Sequence, residues 1–216
     1  MPRSVLGVRG IESLTGTDLY WLARVADAVG TDLDYLATVI GFETGHTFDP
    51  AVKNRFSGAT GLIQFLPSTA RGLGTTVAEL AAMSFAEQLA FVQRYLANYS
   101  GQIHSLENLY LSIFFPAAIH MSDDAVIASE GSAVYEQNKG FDSEQTGQIR
   151  RSDILRSIRA AYRSALDRPR VRVPDAPGER WGWAMLVIAA FAGFGAYAGV
   201  PRFRSRARRF SAKLVG

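Results

Sequence analysis

One glutamate, Glu43, is the strongest candidate for acid chemistry in this sequence. It stands at the predicted end of an apolar helix, after Ile40 and Phe42 and before Gly45 and Phe48. A carboxyl group packed against apolar side chains is harder to ionise, so it can keep a proton near neutral pH and donate it. The position predicts a general acid, although a glutamate near a helix end is more often solvated.

A glycine-rich turn follows this glutamate. Ser57 opens the run SGATG fourteen residues after Glu43, and Gln64 ends the run GLIQ that comes next. This pattern resembles the soluble lytic transglycosylases and goose-type lysozymes, in which a Glu-Ser pair, a turn of small residues and a Gly-Leu-Met-Gln run line one groove. Here the pair ends in Thr44 and the run at 61–64 has isoleucine for methionine, and both departures are conservative.

The resemblance implies a lytic transglycosylase that breaks the β-1,4 bond between N-acetylmuramic acid and N-acetylglucosamine in peptidoglycan. In this family one glutamic acid protonates the glycosidic oxygen, and the same carboxylate then helps to close a 1,6-anhydro ring without water. The resemblance makes Glu43 the catalytic residue and Ser57 and Gln64 substrate-binding residues, with no cofactor and no metal. A hydrolytic goose-type muramidase is the alternative, in which a second carboxylate activates water. Asp49 is the nearest one in sequence, although its FDP setting is typical of a turn.

The family's third motif, an Ala-Tyr-Asn-Ala-Gly run, is missing. The segment ENLYLSIFFPAAI at 107–119 stands in its place and resembles the variant of phage-encoded, virion-associated members. Tyr110 is the candidate for the tyrosine that forms a hydrogen bond near the catalytic acid and contacts substrate, and Ser112 is the alternative. The rest of this apolar segment is predicted to pack in the core.

An acidic segment at 135–153 resembles a degenerate EF-hand loop. The residues at loop positions 1, 3, 5, 6, 8 and 12 are Asp142, Glu144, Thr146, Gly147, Ile149 and Asp153. Position 5 lacks a carboxylate or amide, position 12 has aspartate in place of the usual glutamate, and two arginines add positive charge. We expect a metal-free loop. The chain has no cysteine and its three histidines lack metal-ligand spacing, so a metalloenzyme is not expected either.

Helical periodicity dominates the chain upstream of residue 168. Thr17 and Thr31 are the predicted caps of the first two long helices, and Ser84 and Glu87 form a capping box for a later one. No run of alternating polar and apolar residues indicates strands. The expected fold class is therefore all-α, and the resemblance implies a lysozyme-like helical domain at 1–168.

The C-terminal part has a different composition. Residues 181–200 contain no ionisable side chain except a tyrosine, and 20 apolar residues match the thickness of a bilayer. A proline- and glycine-containing linker at 169–180 precedes them, and a basic tail at 201–216 holds six Lys and Arg. One C-terminal transmembrane helix is predicted, with the tail on the cytoplasmic side or facing the genome in a virion.

The charge distribution and the N-terminus bear on partners and location. The net charge of +3 combines residues 1–149, which hold 8 Lys and Arg against 16 Asp and Glu, with a basic end, so a nucleic-acid partner is not expected. No apolar leader is visible, which favours a phage virion membrane over a bacterial inner membrane with the domain in the periplasm. Expected partners are peptidoglycan glycan strands, the lipid membrane through 181–200 and virion structural proteins. An inactive membrane structural or assembly protein is the rival hypothesis.

Overall fold

A computed structural model describes residues 2–176 of the chain. The α-helices are α1 Gly16–Val29, α2 Leu33–Glu43, α3 Pro67–Gly72, α4 Val77–Ala82, α5 Phe85–Leu96, α6 Leu106–Phe114, α7 Ala133–Asn138 and α8 Arg151–Leu166. Short 3-10 helices lie at Ile11–Ser13, Ala97–Tyr99, Pro116–Ala118 and Lys139–Phe141. The strands are β1 Ser4–Val5, β2 Val126–Ser129, β3 Gln148–Arg150 and β4 Val171–Arg172.

The four strands form two small antiparallel sheets. β1 pairs with β4, and β2 pairs with β3 with an irregularity between Val126 and Ala128. The expected all-α class, with its lysozyme-like helical domain, is therefore wrong, because the described residues include strands. Each strand has only two to four residues, too few for a periodic pattern to be recognised in the sequence. β4 lies inside the segment 169–180 that was expected to be a linker.

The helices that the structure describes are short or carry charged side chains. Within residues 2–176 no helix combines the length and the apolar character needed to cross a bilayer. The longest of these helices, α8, has 16 residues and carries arginines along its length. The predicted span at 181–200 and the tail at 201–216 lie outside the described residues.

α2 lies at the centre of the helical packing. It contacts α1, α6, α8 and β1, and α1 in turn packs against α5. Leu36, Ala37, Val39 and Ile40 of α2 are completely buried. Helices buried on most of their circumference have little freedom to shift in a close-packed interior. The C-terminal end of α2, where Glu43 lies, is therefore held firmly.

The helix starts differ slightly from the sequence expectation. Thr15, two residues before the predicted Thr17, caps α1 and forms a capping box with its first turn, while Thr17 is buried inside the helix. Asp32 rather than Thr31 caps α2. The hydroxyl of Thr31 instead donates a hydrogen bond to the carbonyl of Ile103, 2.7 Å away. These errors are of one or two residues, as is usual at helix ends.

The predicted capping box of α5 is confirmed. The Ser84 hydroxyl accepts a hydrogen bond from the Glu87 N–H, and the Glu87 carboxylate accepts one from the Ser84 N–H at 2.8 Å. The α-helix ends at Leu96, and a 3-10 turn follows at Ala97–Tyr99. Several residues of the candidate site belong to α5.

Candidate active site

Glu43 is the last residue of α2 and is only 8% exposed. The threonine after it fixes the chain as it leaves the helix. The Thr44 hydroxyl donates to the carbonyl oxygen of Ile40 at 2.8 Å and accepts from the N–H of Phe48 at 3.1 Å. Thr44 is itself 1% exposed, so water does not compete for these bonds. A hydroxyl beside the glutamate thus helps to set the position of its carboxyl group.

The backbone reverses sharply beyond Glu43. His46 and Phe48 have positive φ values of 67° and 54°, a region that non-glycine residues seldom adopt. The His46 N–H donates to the carbonyl of Gly41 at 2.6 Å, and the Phe48 ring is buried against Phe85. Burial of an aromatic ring offsets the conformational cost of the reversal. The turn holds the end of α2 against the core.

Two phenols lie close to the Glu43 carboxyl group. Burial raises the pKa of Tyr110 well above its ordinary value, and the negative charge of Glu43 adds to the effect. Burial also raises the pKa of Tyr95 well above its ordinary value. The neighbouring Tyr99 and the charge of Glu43 raise it further. Both phenols therefore keep their protons at neutral pH. Two uncharged phenols therefore lie near the carboxyl group.

Tyr110 is held in place by aromatic contacts on two sides. The ring of Phe42 meets it edge-on, with centroids 5.6 Å apart and planes at 89°. The ring of Phe114 stacks on it, with centroids 5.6 Å apart and planes at 7°. Because Phe42 immediately precedes Glu43, the same contact joins α2 to α6. The predicted tyrosine therefore does lie beside the predicted acid.

Tyr95 is a neighbour of the acid that the sequence did not indicate. Ser112, the alternative to Tyr110 for the hydrogen bond near the acid, makes other contacts. The Tyr95 hydroxyl donates to the carbonyl oxygen of Ser112 at 2.7 Å. The Ser112 hydroxyl, fully buried, donates to the carbonyl of Leu109 in its own helix at 2.7 Å. Its single hydrogen is used there, so Ser112 cannot also donate to the acid. The only sequence signal for Tyr95 was its helical spacing from apolar residues of α5.

The glycine-rich turn is a tight double bend that contains Gln64. Thr60 pairs with Lys53 on one side and with Phe65 on the other. Gln64 has a φ of 51°, is 8% exposed, and its side-chain N–H groups donate to the carbonyls of Gly61 at 3.0 Å and Val52 at 3.3 Å. Both amide hydrogens are used inside the turn. Gln64 can therefore offer a substrate only its carbonyl oxygen, as an acceptor.

A buried glutamine of α5, Gln88, organises this turn. Its carbonyl oxygen accepts from the N–H of Leu62 at 2.6 Å, and its amide donates to the carbonyls of Leu80 at 2.8 Å and Pro50 at 3.0 Å. A β-carbon on Gly61, whose φ is 85°, would lie 2.2 Å from the Gln88 oxygen. The glycine of the GLIQ run is thus required by a specific contact. Sequence reasoning missed Gln88, whose only signal was a polar residue on an apolar helix face.

Ser57 lies in the first bend of the same turn and is half-buried. Its hydroxyl oxygen accepts from the N–H of Ala59 at 3.2 Å. The Asn54 side chain accepts from the N–H groups of Phe56 at 2.9 Å and Ser57 at 3.1 Å. The hydroxyl oxygen of Ser57 thus shapes the turn, while its hydrogen is available to donate.

Two polar residues near the acid have local roles. Asp49 is exposed, and its carboxylate accepts from the N–H of Ala51 at 2.8 Å, which confirms the predicted FDP turn. Burial lowers the pKa of His46, and the positive charges of Arg9 and Arg168 lower it further. His46 therefore stays neutral at physiological pH. Its charged neighbours are arginines.

In the acidic loop, hydrogen bonds surround the carboxylate at the first EF-hand position. Asp142 accepts from the N–H groups of Thr146 at 2.9 Å and Gly147 at 2.8 Å and from the Tyr135 hydroxyl at 2.7 Å. Burial acts to raise the pKa of Asp142, but these donors outweigh it and hold the pKa below its ordinary value. Among residues 2–176 no group of three or more His, Cys, Asp or Glu side chains could hold a metal ion.

Aromatic contacts of adjacent residues connect the segments that carry three of the four predicted site residues. Glu43 and Tyr110 are neighbours, and the Gln64 turn connects to them through Phe65, whose ring meets Tyr95 at right angles with centroids 6.3 Å apart. Ser57 lies in the same turn, although no direct contact links it to the acid.

Comparison of the chain with models of protein families, with curated proteins and with solved structures found no match.

Proposed function

We propose that the protein cleaves peptidoglycan glycan strands as a lytic transglycosylase, with Glu43 as its catalytic acid and base. The observation that carries the proposal is the position of this carboxyl group. It is 8% exposed at the fixed end of α2, beside the protonated phenols of Tyr95 and Tyr110. A largely buried carboxyl group at a fixed helix end, next to two protonated phenols, has the placement expected of a general acid and base.

The reaction needs only this group and the substrate's own atoms. The Glu43 carboxylic acid gives its proton to the glycosidic oxygen as the bond to C1 of N-acetylmuramic acid breaks, and the acetamido oxygen of that sugar bonds to C1. The Glu43 carboxylate then takes the proton from the C6 hydroxyl. The C6 oxygen attacks C1 and displaces the acetamido oxygen, which leaves a 1,6-anhydro sugar and a protonated Glu43. No water molecule takes part in these reaction steps.

The remaining site residues position the substrate. Gln64 offers one acceptor oxygen for a sugar or amide N–H, and Ser57 offers one hydroxyl donor. Tyr95 and Tyr110 are positioning residues because they act on the substrate through Glu43. The roles of Gln64 and Ser57 follow from the hydrogens that the turn already uses.

Hydrolysis is the competing outcome for the same acid. It would need a second carboxylate to activate water on the opposite face of the sugar. Asp49 is the nearest candidate in sequence, and it lies in an exposed turn where one carboxylate oxygen accepts from the N–H of Ala51. We therefore favour the anhydro product. Mass spectrometry of released muropeptides separates the two outcomes, because hydrolysis yields reducing ends in place of 1,6-anhydro ends.

Glu43→Gln tests the proposal directly. The amide keeps the size of the side chain but cannot donate and recover the proton, so release of muropeptides should fall about 10²- to 10⁴-fold. Glu12→Gln makes the same chemical change at an exposed residue and should leave the rate unchanged. Circular dichroism checks that each variant is folded. Absence of any cleavage by the wild-type protein would overturn the proposal in favour of a structural or assembly role without activity.

A further inference from the structure

An aromatic ring projects into solvent from the turn that contains Ser57. Phe56 is 73% exposed, more than any other large apolar side chain that is exposed in residues 2–176. The guanidinium carbon of Arg55 lies over its ring, 4.7 Å from the centroid. One ring face is therefore covered by a cation while the rest of the ring meets water. A single exposed apolar side chain is common on protein surfaces, but here the ring and the guanidinium together form one cationic and aromatic surface element.

The backbone beneath this ring is well ordered by hydrogen bonds. The Asn54 N–H donates to the carbonyl of Ala59 at 2.8 Å, and the Gly58 N–H donates to the carbonyl of Asn54 at 2.8 Å. The Asn54 side chain accepts from the N–H groups of Phe56 and Ser57. The ring thus stands on a closed turn, and the neighbouring residue is the candidate substrate ligand Ser57. The exposure of the Phe56 ring follows from the geometry of this turn.

The turn also carries unneutralised positive charge. Lys53 and Arg55 are both exposed, and neither takes part in a salt bridge within the part of the chain that the structure describes. By contrast, Arg3, Arg156 and Arg170 all pair with carboxylates. The two cations belong to residues 1–149, which contain 16 acidic and 8 basic residues. A cationic spot on an acidic surface favours an anionic ligand there.

We propose that Arg55 and Phe56 bind the peptide stem of peptidoglycan, with the Arg55 guanidinium on a stem carboxylate. This inference rests on the proposed function, since it names the part of the substrate that meets this turn. The carboxylates of intact peptidoglycan reside in its peptide stems, and a guanidinium binds a carboxylate through two parallel hydrogen bonds. Stacking on Phe56 pre-orients the guanidinium, which lowers the entropy lost on binding. The exposed part of the ring packs against apolar atoms of the stem or sugar.

Sedimentation of the protein with insoluble peptidoglycan tests this without requiring catalysis. One sample is intact, and in a second the stem carboxylates are converted to neutral amides. Wild-type protein should bind the intact sample about fivefold more tightly, as expected for one exposed charge pair. Arg55→Gln should remove this preference, and Phe56→Ala should reduce it. Arg163→Gln, which removes an exposed arginine from α8, should leave the ratio unchanged.

The results separate this inference from the proposed function. If Arg55→Gln keeps the wild-type preference for the intact sample, or if the wild-type protein shows no preference, the turn does not bind stem carboxylates. If the wild-type protein shows the Arg55-dependent preference but releases no muropeptides, the catalytic proposal fails while the stem contact stands. The preference should also shrink with added salt, because exposed charge pairs are screened.

Discussion

Replacing Gly61 by alanine should destabilise the fold far more than an ordinary glycine substitution in a turn. The left-handed φ of 85° alone costs a residue with a β-carbon about 1–2 kcal/mol. The added carbon would also lie 2.2 Å from the Gln88 oxygen, so the Gln88 amide has to move. Its three hydrogen bonds to backbone groups would then be lost or distorted. At about 1 kcal/mol for each bond, the total loss is about 4–5 kcal/mol.

Gly74 supplies the matched control. It has a φ of 77°, and a β-carbon added there meets nothing within 4 Å. Gly74→Ala should therefore cost only the conformational term, about 1–2 kcal/mol. The free energy of unfolding of each variant can be measured by urea titration with tryptophan fluorescence, to which the buried Trp21 contributes. The difference between the two variants isolates the contact with Gln88.

A double-mutant cycle sharpens the comparison. In a Gln88→Ala background the oxygen that meets the new carbon is gone, so Gly61→Ala should cost no more than Gly74→Ala does. Equal losses for Gly61→Ala and Gly74→Ala in the wild-type background would refute the reasoning. They would mean that the turn can shift away from Gln88 at little cost.

Three further predictions concern the neighbours of Glu43 and the acidic loop. Tyr95→Phe removes the donor to the Ser112 carbonyl and should lower the free energy of unfolding by about 1–3 kcal/mol, measured in urea, and slow muropeptide release. Thr44→Val should show a loss of similar size, about 1–3 kcal/mol, in the same titration, while Thr44→Ser should retain most of the stability. Asp142 has a lowered folded pKa, so its contribution is present above the unfolded-state pKa and is lost as pH falls through the folded value. Asp142→Asn should therefore lower the melting temperature at pH 7 and flatten its decline in acid, and an unchanged acid profile would contradict this.

Local signals predicted the local structure well. The Ser84 capping box formed as expected because its two partners are three residues apart, and Glu43 lies at the end of an apolar helix as its neighbours indicated. The cap of α1 was misplaced by two residues because Thr15 and Thr17 both satisfy the same short pattern. Such patterns depend on nearby residues only, so the sequence is sufficient for them.

Long-range partners could not be predicted in the same way. Tyr95 and Gln88 belong to α5, and they reach the site only because α5 packs against α1 and brings its apolar face to the turn. The strands β1 and β4 escaped notice since two residues each carry no periodicity. Tertiary packing determines these contacts, and local sequence patterns do not predict it.

The pairing of β1 with β4 makes the described chain nearly a closed ring. Arg170 donates to the hydroxyl and carbonyl of Ser4, 166 residues earlier, and to the carboxylate of Asp34. Closing a flexible loop of that length costs about 4–5 kcal/mol of chain entropy. A peptide bond across this seam would remove that cost from folding. The segment of residues 2–176 is therefore a good subject for circular permutation, with new ends opened at the solvent-exposed turn around Gly101.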